Sequence, residues 1–340
     1  MFSRFRILNF KRLVIEKTVH ADTHGQHLLI FGRRLVTLKM SASLGGTLSG
    51  DRELKRDRLT PWISSIGVLI FFVFTMTNLA FGSVIADDPP SSPWKLVWSD
   101  DFDYNGTPDP NKWAFETGGG GWGNSEKEFY TDHLDNCRVE NGHLVIEAKR
   151  EDYQGEQYTS ARLHSLGDGW KFGRIDVKAR LPGGVGTWPA IWMLPTHPQY
   201  GNLGWPDNGE IDIMEYAAHD PGQVLGSMYS KNHIWWDNTG LSIYQSVPDA
   251  ETAYHIYSVQ WSQTTVDLMV DGVTYNSFPN PQSSWEDWPF DQQYRIIMNV
   301  ALGGWGGDDV DDAALPQSMS VDYVHVYELQ QPPAMTVADW

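Results

Sequence analysis

Three acidic side chains crowd into one short run, Gly209-Glu210-Ile211-Asp212-Ile213-Met214-Glu215-Tyr216. In an extended strand residues i and i+2 share a face, so Glu210 and Asp212 point one way and Ile211 and Ile213 the other. Strict alternation would send Glu215 into the core. One extra residue, a β-bulge, returns it to the acidic face. Carboxyls held this close cannot all ionise near neutral pH, so at least one pKa is pushed up. A protonated carboxyl beside an ionised one is the pair that glycosidic bond cleavage needs. One protonates the leaving oxygen, and the other attacks the anomeric carbon or activates water. Two plainer readings compete, a solvated acidic strand face and a calcium site. The apolar and aromatic flanks weigh against the first, and calcium ligands usually come from loops. Spacing alone leaves the stereochemical outcome open. Four strand steps of ~3.3 Å put the Glu210 and Glu215 Cα atoms ~13 Å apart, whereas retention requires carboxyl groups ~5–5.5 Å apart.

Aromatic residues gather around these acids. They are Trp188 and Trp192 in Thr187-Trp188-Pro189-Ala190-Ile191-Trp192-Met193-Leu194, Trp122 in Gly121-Trp122-Gly123-Asn124, and Trp205, Trp235, Trp236 and Trp305. An indole stacks on the C–H face of a sugar and supplies one N–H donor. Trp188 and Trp192 are four apart, so on one strand they share a face. A single Trp is more often a core residue, but 16 of them beside 32 Gly and 19 Pro lead us to expect some exposed platforms.

The elements that must position these residues read as strands. Leu144–Ala148, Gly173–Ala179, Val266–Val270 (before Asp271-Gly272) and Ser320–Tyr327 alternate apolar and polar positions between turn signals. No long segment has helical periodicity. The expected fold class is all-β, a β-sandwich with one face curved to hold a ligand.

Charge divides the chain. Residues 1–60 carry 12 basic and 5 acidic side chains; the remaining 13 basic and 38 acidic ones give the rest a net charge of −25. So acidic a body repels nucleic acid and anionic membranes and disfavours a polyanionic substrate. A neutral glycan suits it. The single cysteine, Cys137, allows no intramolecular disulfide and no cysteine zinc cluster, and reads as a small core residue.

The segment 63–86 has a dense apolar core after Arg52, Lys55, Arg56 and Arg58, and ends Val84-Ile85-Ala86. That is the pattern of a signal peptide cleaved before Asp87, with an uncleaved anchor as the rival; both export the body. The expected organisation is a basic extension over 1–62, with the true translation start expected inside it at Met40, the hydrophobic segment 63–86, and a Pro-rich linker 87–93. A catalytic body 94–329 and a tail 330–340 follow. The expected location is secreted or periplasmic.

The bulged Glu-x-Asp-x-x-Glu run resembles the signature of glycoside hydrolase family 16, in its laminarinase-like form. The resemblance extends over Gly119–Glu126, the Tyr158–Leu163 run, Trp188–Leu194, Trp288-Pro289-Phe290-Asp291-Gln292, and Pro316-Gln317-Ser318-Met319. It implies a jelly-roll β-sandwich of two antiparallel sheets with a concave glycan-binding cleft. It also implies retaining hydrolysis of β-1,3-linked, or mixed β-1,3/1,4-linked, glucan by a chain with no obligate protein partner, acting as a monomer. By position it makes Glu210 the nucleophile, Asp212 the acid that tunes it and Glu215 the general acid/base. Trp188, Trp192, Asn124, Arg162, Trp122, Tyr229 and Trp305 become substrate contacts. No cofactor is implied for catalysis. A structural calcium is, with Asp101, the Gly142 carbonyl and Asp322 as ligands. One position departs from the family: Tyr229 stands where relatives commonly have His, and His233 is the nearby imidazole that could take its place. The alternatives are a galactan hydrolase of the agar or carrageenan class on the same fold, and a non-catalytic β-glucan-binding protein. The intact glutamates weigh against the latter.

Overall fold

The computed structural model describes residues 93–330 except Asn238, together with two short strands near the N-terminus. The chain forms two compact units, Met1–Gly82 and Ser83–Trp340. In the first, Leu29–Phe31 pairs antiparallel with Arg34–Val36. The hydrophobic segment 63–86, the linker apart from Pro93, and the tail beyond Gln330 lie outside the described residues.

The second unit is built from two sheets, and its only described helices are single 3-10 turns at Trp235–Asp237 and Gly304–Gly306. The larger, ten-stranded sheet runs Val273–Pro279, Thr265–Val270, His255–Trp261, Gly173–Arg180, Gln317–Leu329, His143–Tyr153, Glu156–Ser160 and Glu128–Tyr130. Trp94–Asp100 also pairs with Gln317–Leu329, and Cys137–Glu140 with His143–Tyr153. The second sheet has seven strands in the order Leu241–Ser246, Gln223–Tyr229, Glu210–Tyr216, Thr187–Pro195, Tyr294–Leu302, Arg162–Ser165 and Trp113–Phe115. Every pairing is antiparallel except Glu128–Tyr130 with Glu156–Ser160. This is the expected jelly-roll sandwich, and the four alternating runs read from the sequence all fall within strands.

Alternation explains how the layers meet. Ile211, Ile213, Ile191 and Met193 from the seven-stranded sheet and Ile146, Ile175, Val177 and Val324 from the other are fully or almost fully buried in one core. Each such side chain contributes about 1.5–3 kcal/mol on leaving water. Cys137 lies in the same core, and burial pushes its thiol pKa up, which keeps it an unreactive packed residue. The opposite face of the seven-stranded sheet carries Trp188, Trp192, Glu210, Asp212 and Glu215.

Gly209 starts the catalytic strand for a steric reason. Its φ is +77°, and an added Cβ would stand 2.7 Å from both Pro289 Cγ and Tyr294 Oη. Only glycine both adopts that backbone and fits that close approach.

Candidate active site

The strand Glu210–Tyr216 lies between Gln223–Tyr229 and Thr187–Pro195. Its register with the first shifts between Asp212 and Glu215, and with the second between Ile191 and Trp192. That is the bulge expected from the sequence. Ile213 and Met214 both turn into the core, at 1% and 0% exposure, and Glu215 returns to the face of Glu210 and Asp212. Across the strand pair, Glu210 stands opposite Tyr229 and Asp212 opposite Ser227.

Burial then decides the electrostatics. Asp212 is 2% exposed and lies within hydrogen-bonding reach of both Glu210 and Glu215. Its Oδ2 atom is buried with no donor directed at it. A bare carboxylate there would be desolvated and flanked by two more acids. Burial first, and the charges of Glu210 and Glu215 second, hold its pKa well above the usual carboxylate range. Asp212 therefore keeps its proton and can donate it to one of the two glutamates at a time. Burial raises Glu210 to about 7, opposed by hydrogen bonds from Asp212 and Trp205 and by the Arg162 charge. Burial and the Glu210 charge raise Glu215 to about 7, opposed by hydrogen bonds from Trp188 and Asp212. The Trp188 Nε1–H donates to Glu215 Oε1 at 3.0 Å. The three carboxyls titrate as one coupled set.

The same shifts predict how stability depends on pH. A carboxyl whose folded pKa is raised contributes stability fully present below its unfolded value and lost as pH rises through its folded value. For Glu210 that window runs from 4.5 to about 7. Over that interval the loss is about 3 kcal/mol as an upper bound. Glu210→Gln, neutral at every pH, should therefore gain thermal stability over the wild-type protein between pH 5 and pH 8, by several degrees. Melting curves at the two pH values test it; a difference that stays constant or shrinks would refute the raised pKa.

The walls of the cleft come from loops and strands distant in sequence. One section of about 540 Å³ is lined by Asn124, Trp188, Glu215, Tyr229, Trp235 and Trp305. Another of about 400 Å³ is lined by Trp122, Arg162, Trp192, Trp205, Glu210 and Trp236, among others. Trp305, on the Gly304–Gly306 turn, meets Trp188 edge to face at 5.8 Å. Arg162 is 8% exposed, with its guanidinium 4.7 Å from both the Trp122 and the Trp192 ring. Its Nε donates to Glu116 Oε2 at 2.6 Å. Arg162 thus acts as a charged brace between two indoles, with much of its surface already covered. All seven substrate contacts expected from the sequence meet on this cleft.

Several residues of the site were not assigned a role from the sequence. Trp205 shares a section of the cleft with Glu210 and helps to hold its pKa down. Behind the cleft Trp192 Nε1 donates to Asn299 Oδ1 at 2.8 Å, Asn299 Nδ2 to Tyr130 Oη at 3.0 Å, and Tyr130 Oη to Glu126 Oε2 at 2.7 Å. Asn124 Nδ2 donates to Glu126 Oε1 at 3.1 Å, which closes the chain on the cleft wall. Beside it Glu128 is fully buried, and burial with the neighbouring Glu126 raises its pKa well above the usual range. The alternation of Glu126, Glu128 and Tyr130 at period two was the available clue to this buried polar face.

One expectation needs correction. His233 does not replace the missing imidazole. It pairs with Asp287 at 3.5 Å and with the Thr239 carbonyl at 3.2 Å, away from the residues lining the cleft. Tyr229 lines the cleft instead. Burial and the nearby Asp212 and Glu215 push its pKa up, so it stays a neutral donor. Asp101 and Asp322, expected with the Gly142 carbonyl to hold calcium, carry partners of their own in this structure. Asp101 Oδ1 takes His325 Nε2 at 2.7 Å, and Asp322 Oδ2 takes Lys178 Nζ at 2.7 Å. A lysine ammonium on the carboxylate neutralises and repels where a divalent cation would need charge.

The geometry agrees with what the comparisons with known proteins find. The profile of glycosyl hydrolases family 16 matches residues 124–325. The chain belongs to glycoside hydrolase family 16. A beta-glucanase of Rhodothermus marinus is 49% identical over 257 residues, covering 72% of this chain and 88% of that protein. A glucan endo-1,3-beta-glucosidase of Cryptopygus antarcticus is 34% identical over 255 residues, covering 68% and 91%. The solved laminarinase from Rhodothermus marinus superimposes with a TM-score of 0.68 at 48% identity, covering 70% of this chain and 98% of its own. This family 16 chain is therefore a glycoside hydrolase, and its sandwich is the fold of the laminarinases.

Proposed function

We propose that the chain is an exported, retaining endo-hydrolase of β-1,3-linked glucan that also tolerates mixed β-1,3/1,4 linkage. The observation that carries the reading is the bulged strand that sets Glu210 and Glu215 on one face, both within hydrogen-bonding reach of the protonated Asp212. Two side chains that lean onto one shared neighbour are drawn together, as a retaining pair requires. The acidic body suits a neutral polymer, and the hydrophobic segment 63–86 supports export.

In the first step the ionised Glu210 attacks the anomeric carbon while Glu215 gives its proton to the leaving glycosidic oxygen. The C–O bond breaks and a covalent glycosyl–enzyme forms. Asp212, donating its proton to Glu210, tunes the nucleophile and stabilises it as a leaving group. In the second step Glu215, now ionised, takes a proton from water, whose oxygen displaces Glu210 with overall retention. The indoles of Trp188 and Trp192 hold the sugars against the acids.

The test is product release by purified 87–340 from laminarin, barley mixed-linkage glucan, carboxymethylcellulose and agarose. Short oligosaccharides from laminarin, with the β-anomer formed first in the NMR spectrum, are expected. Release from agarose alone would move the substrate to a galactan, and an α-anomer would overturn retention. Trp188→Ala should lower kcat/KM on laminarin at least about tenfold, a loss of ~1.4 kcal/mol in the transition state. Its N–H favours the ionised form of Glu215, so its loss should also move the alkaline limb of the pH profile upward. An unmoved limb would break the link between Trp188 and Glu215.

A further inference from the structure

Two tryptophans stand in water at the rim of this cleft. Trp235 is 63% and Trp236 53% exposed, on the 3-10 turn between the strands Gln223–Tyr229 and Leu241–Ser246. Exposing large apolar rings side by side is unfavourable unless something covers them in use. The turn that carries them is fastened. Ile234 beneath it is buried, and its N–H donates to Thr239 Oγ1 at 3.1 Å. Asp237 Oδ1 accepts from the Thr239 N–H at 3.1 Å, and Ser230 and His233 close the base through a backbone bond of 3.0 Å. His233, which does not serve the cleft, serves here by tying the loop to Asp287.

The rings also form a series that starts at the reaction centre. Trp205 lines the same section of the cleft as Glu210, Trp236 lies 5.2 Å from Trp205, and Trp235 lies 5.4 Å from Trp236. Successive ring planes turn by 60° and 80° instead of lying parallel. That turning carries information about the ligand. A β-1,4-linked glucan is a flat ribbon whose sugar faces lie nearly in one plane, and it matches coplanar rings. A β-1,3 linkage rotates each sugar relative to the last, so the chain coils and presents faces that turn along its length.

We propose that Trp205, Trp236 and Trp235 form a turning row of sugar platforms that grips the glucan chain beyond the cleavage point and favours the coiled β-1,3-linked chain over the flat β-1,4-linked one. The proposal rests on the functional reading above and deepens it. The occupant is the continuing substrate chain, because Trp235 lines both sections of the cleft and joins the rim to the catalytic acids.

The test uses binding without turnover. Glu210→Gln protein is run by affinity electrophoresis in gels containing laminarin or hydroxyethylcellulose, a neutral β-1,4 glucan. Adding Trp235→Ala and Trp236→Ala should raise the dissociation constant for laminarin about tenfold or more. It should also narrow the preference for laminarin over hydroxyethylcellulose. Trp235→Phe with Trp236→Phe, which keeps flat aromatic faces, should recover part of the loss and guards against a merely misfolded loop. Unchanged laminarin affinity in the Ala variant, or equal losses on both polymers, would overturn the row. The hydrolase reading is scored separately. Wild-type protein that binds laminarin through these rings but never cleaves it would sink that reading and leave the row standing. Cleavage by wild type with unchanged affinity in the Ala variant would do the reverse.

Discussion

Glu210→Gln should lose roughly 10⁴-fold or more of kcat on laminarin while keeping its fold and its affinity for the glucan. The amide has nearly the same shape and cannot form the glycosyl ester, so the first covalent step is lost. A second consequence follows from the coupling. The Glu210 charge is one of the causes that raise Glu215. With that charge gone, the Glu215 pKa should fall from about 7 toward its ordinary value. Carbon-13 NMR or infrared titration of the carboxyl groups reads this without needing turnover. A variant that keeps a tenth of wild-type activity would remove Glu210 from the nucleophile's role. A Glu215 pKa that stays near 7 would mean that burial alone sets it.

Glu215→Ala should nearly abolish cleavage of laminarin, by a comparable factor, because its unactivated leaving group needs a proton. Glu215 can give that proton only while it holds it, which is below about 7. Wild-type activity should therefore fall as pH rises past that value. Glu210 must be ionised to attack, so activity should also fall as pH drops below its own value of about 7. The profile is a bell near neutral pH, and its two limbs belong to the coupled set. In Glu215→Ala the alkaline limb should vanish on an aryl glycoside whose leaving group needs no proton. Azide should then restore turnover by replacing the activated water and give the β-glycosyl azide. An alkaline limb that persists in the variant, together with no azide product, would assign the acid/base role to another residue.

The sequence by itself determined the parts of this protein governed by local periodicity and residue type. Period-two alternation is a property of neighbouring residues in one strand, so the all-β class and the shared face of Trp188 and Trp192 were legible. So was the need for a bulge between Asp212 and Glu215, because a carboxylate sent into the apolar core would be prohibitive. The crowding of three acids already required a raised pKa.

Only the tertiary structure decided which groups answer those acids. Trp205 and Trp188 approach Glu210 and Glu215 from different segments, and the chain Trp192–Asn299–Tyr130–Glu126–Asn124 joins residues up to 175 positions apart. No local pattern encodes such contacts. Desolvation decided the proton as well: Asp212 holds it because neighbouring strands seal that carboxyl from water more completely than Glu210 or Glu215. One sequence-based assignment also turned on a distant partner. Asp287 draws His233 away from the cleft. The residue type was compatible with the expected role, and the geometry of a charge far along the chain settled which role it takes.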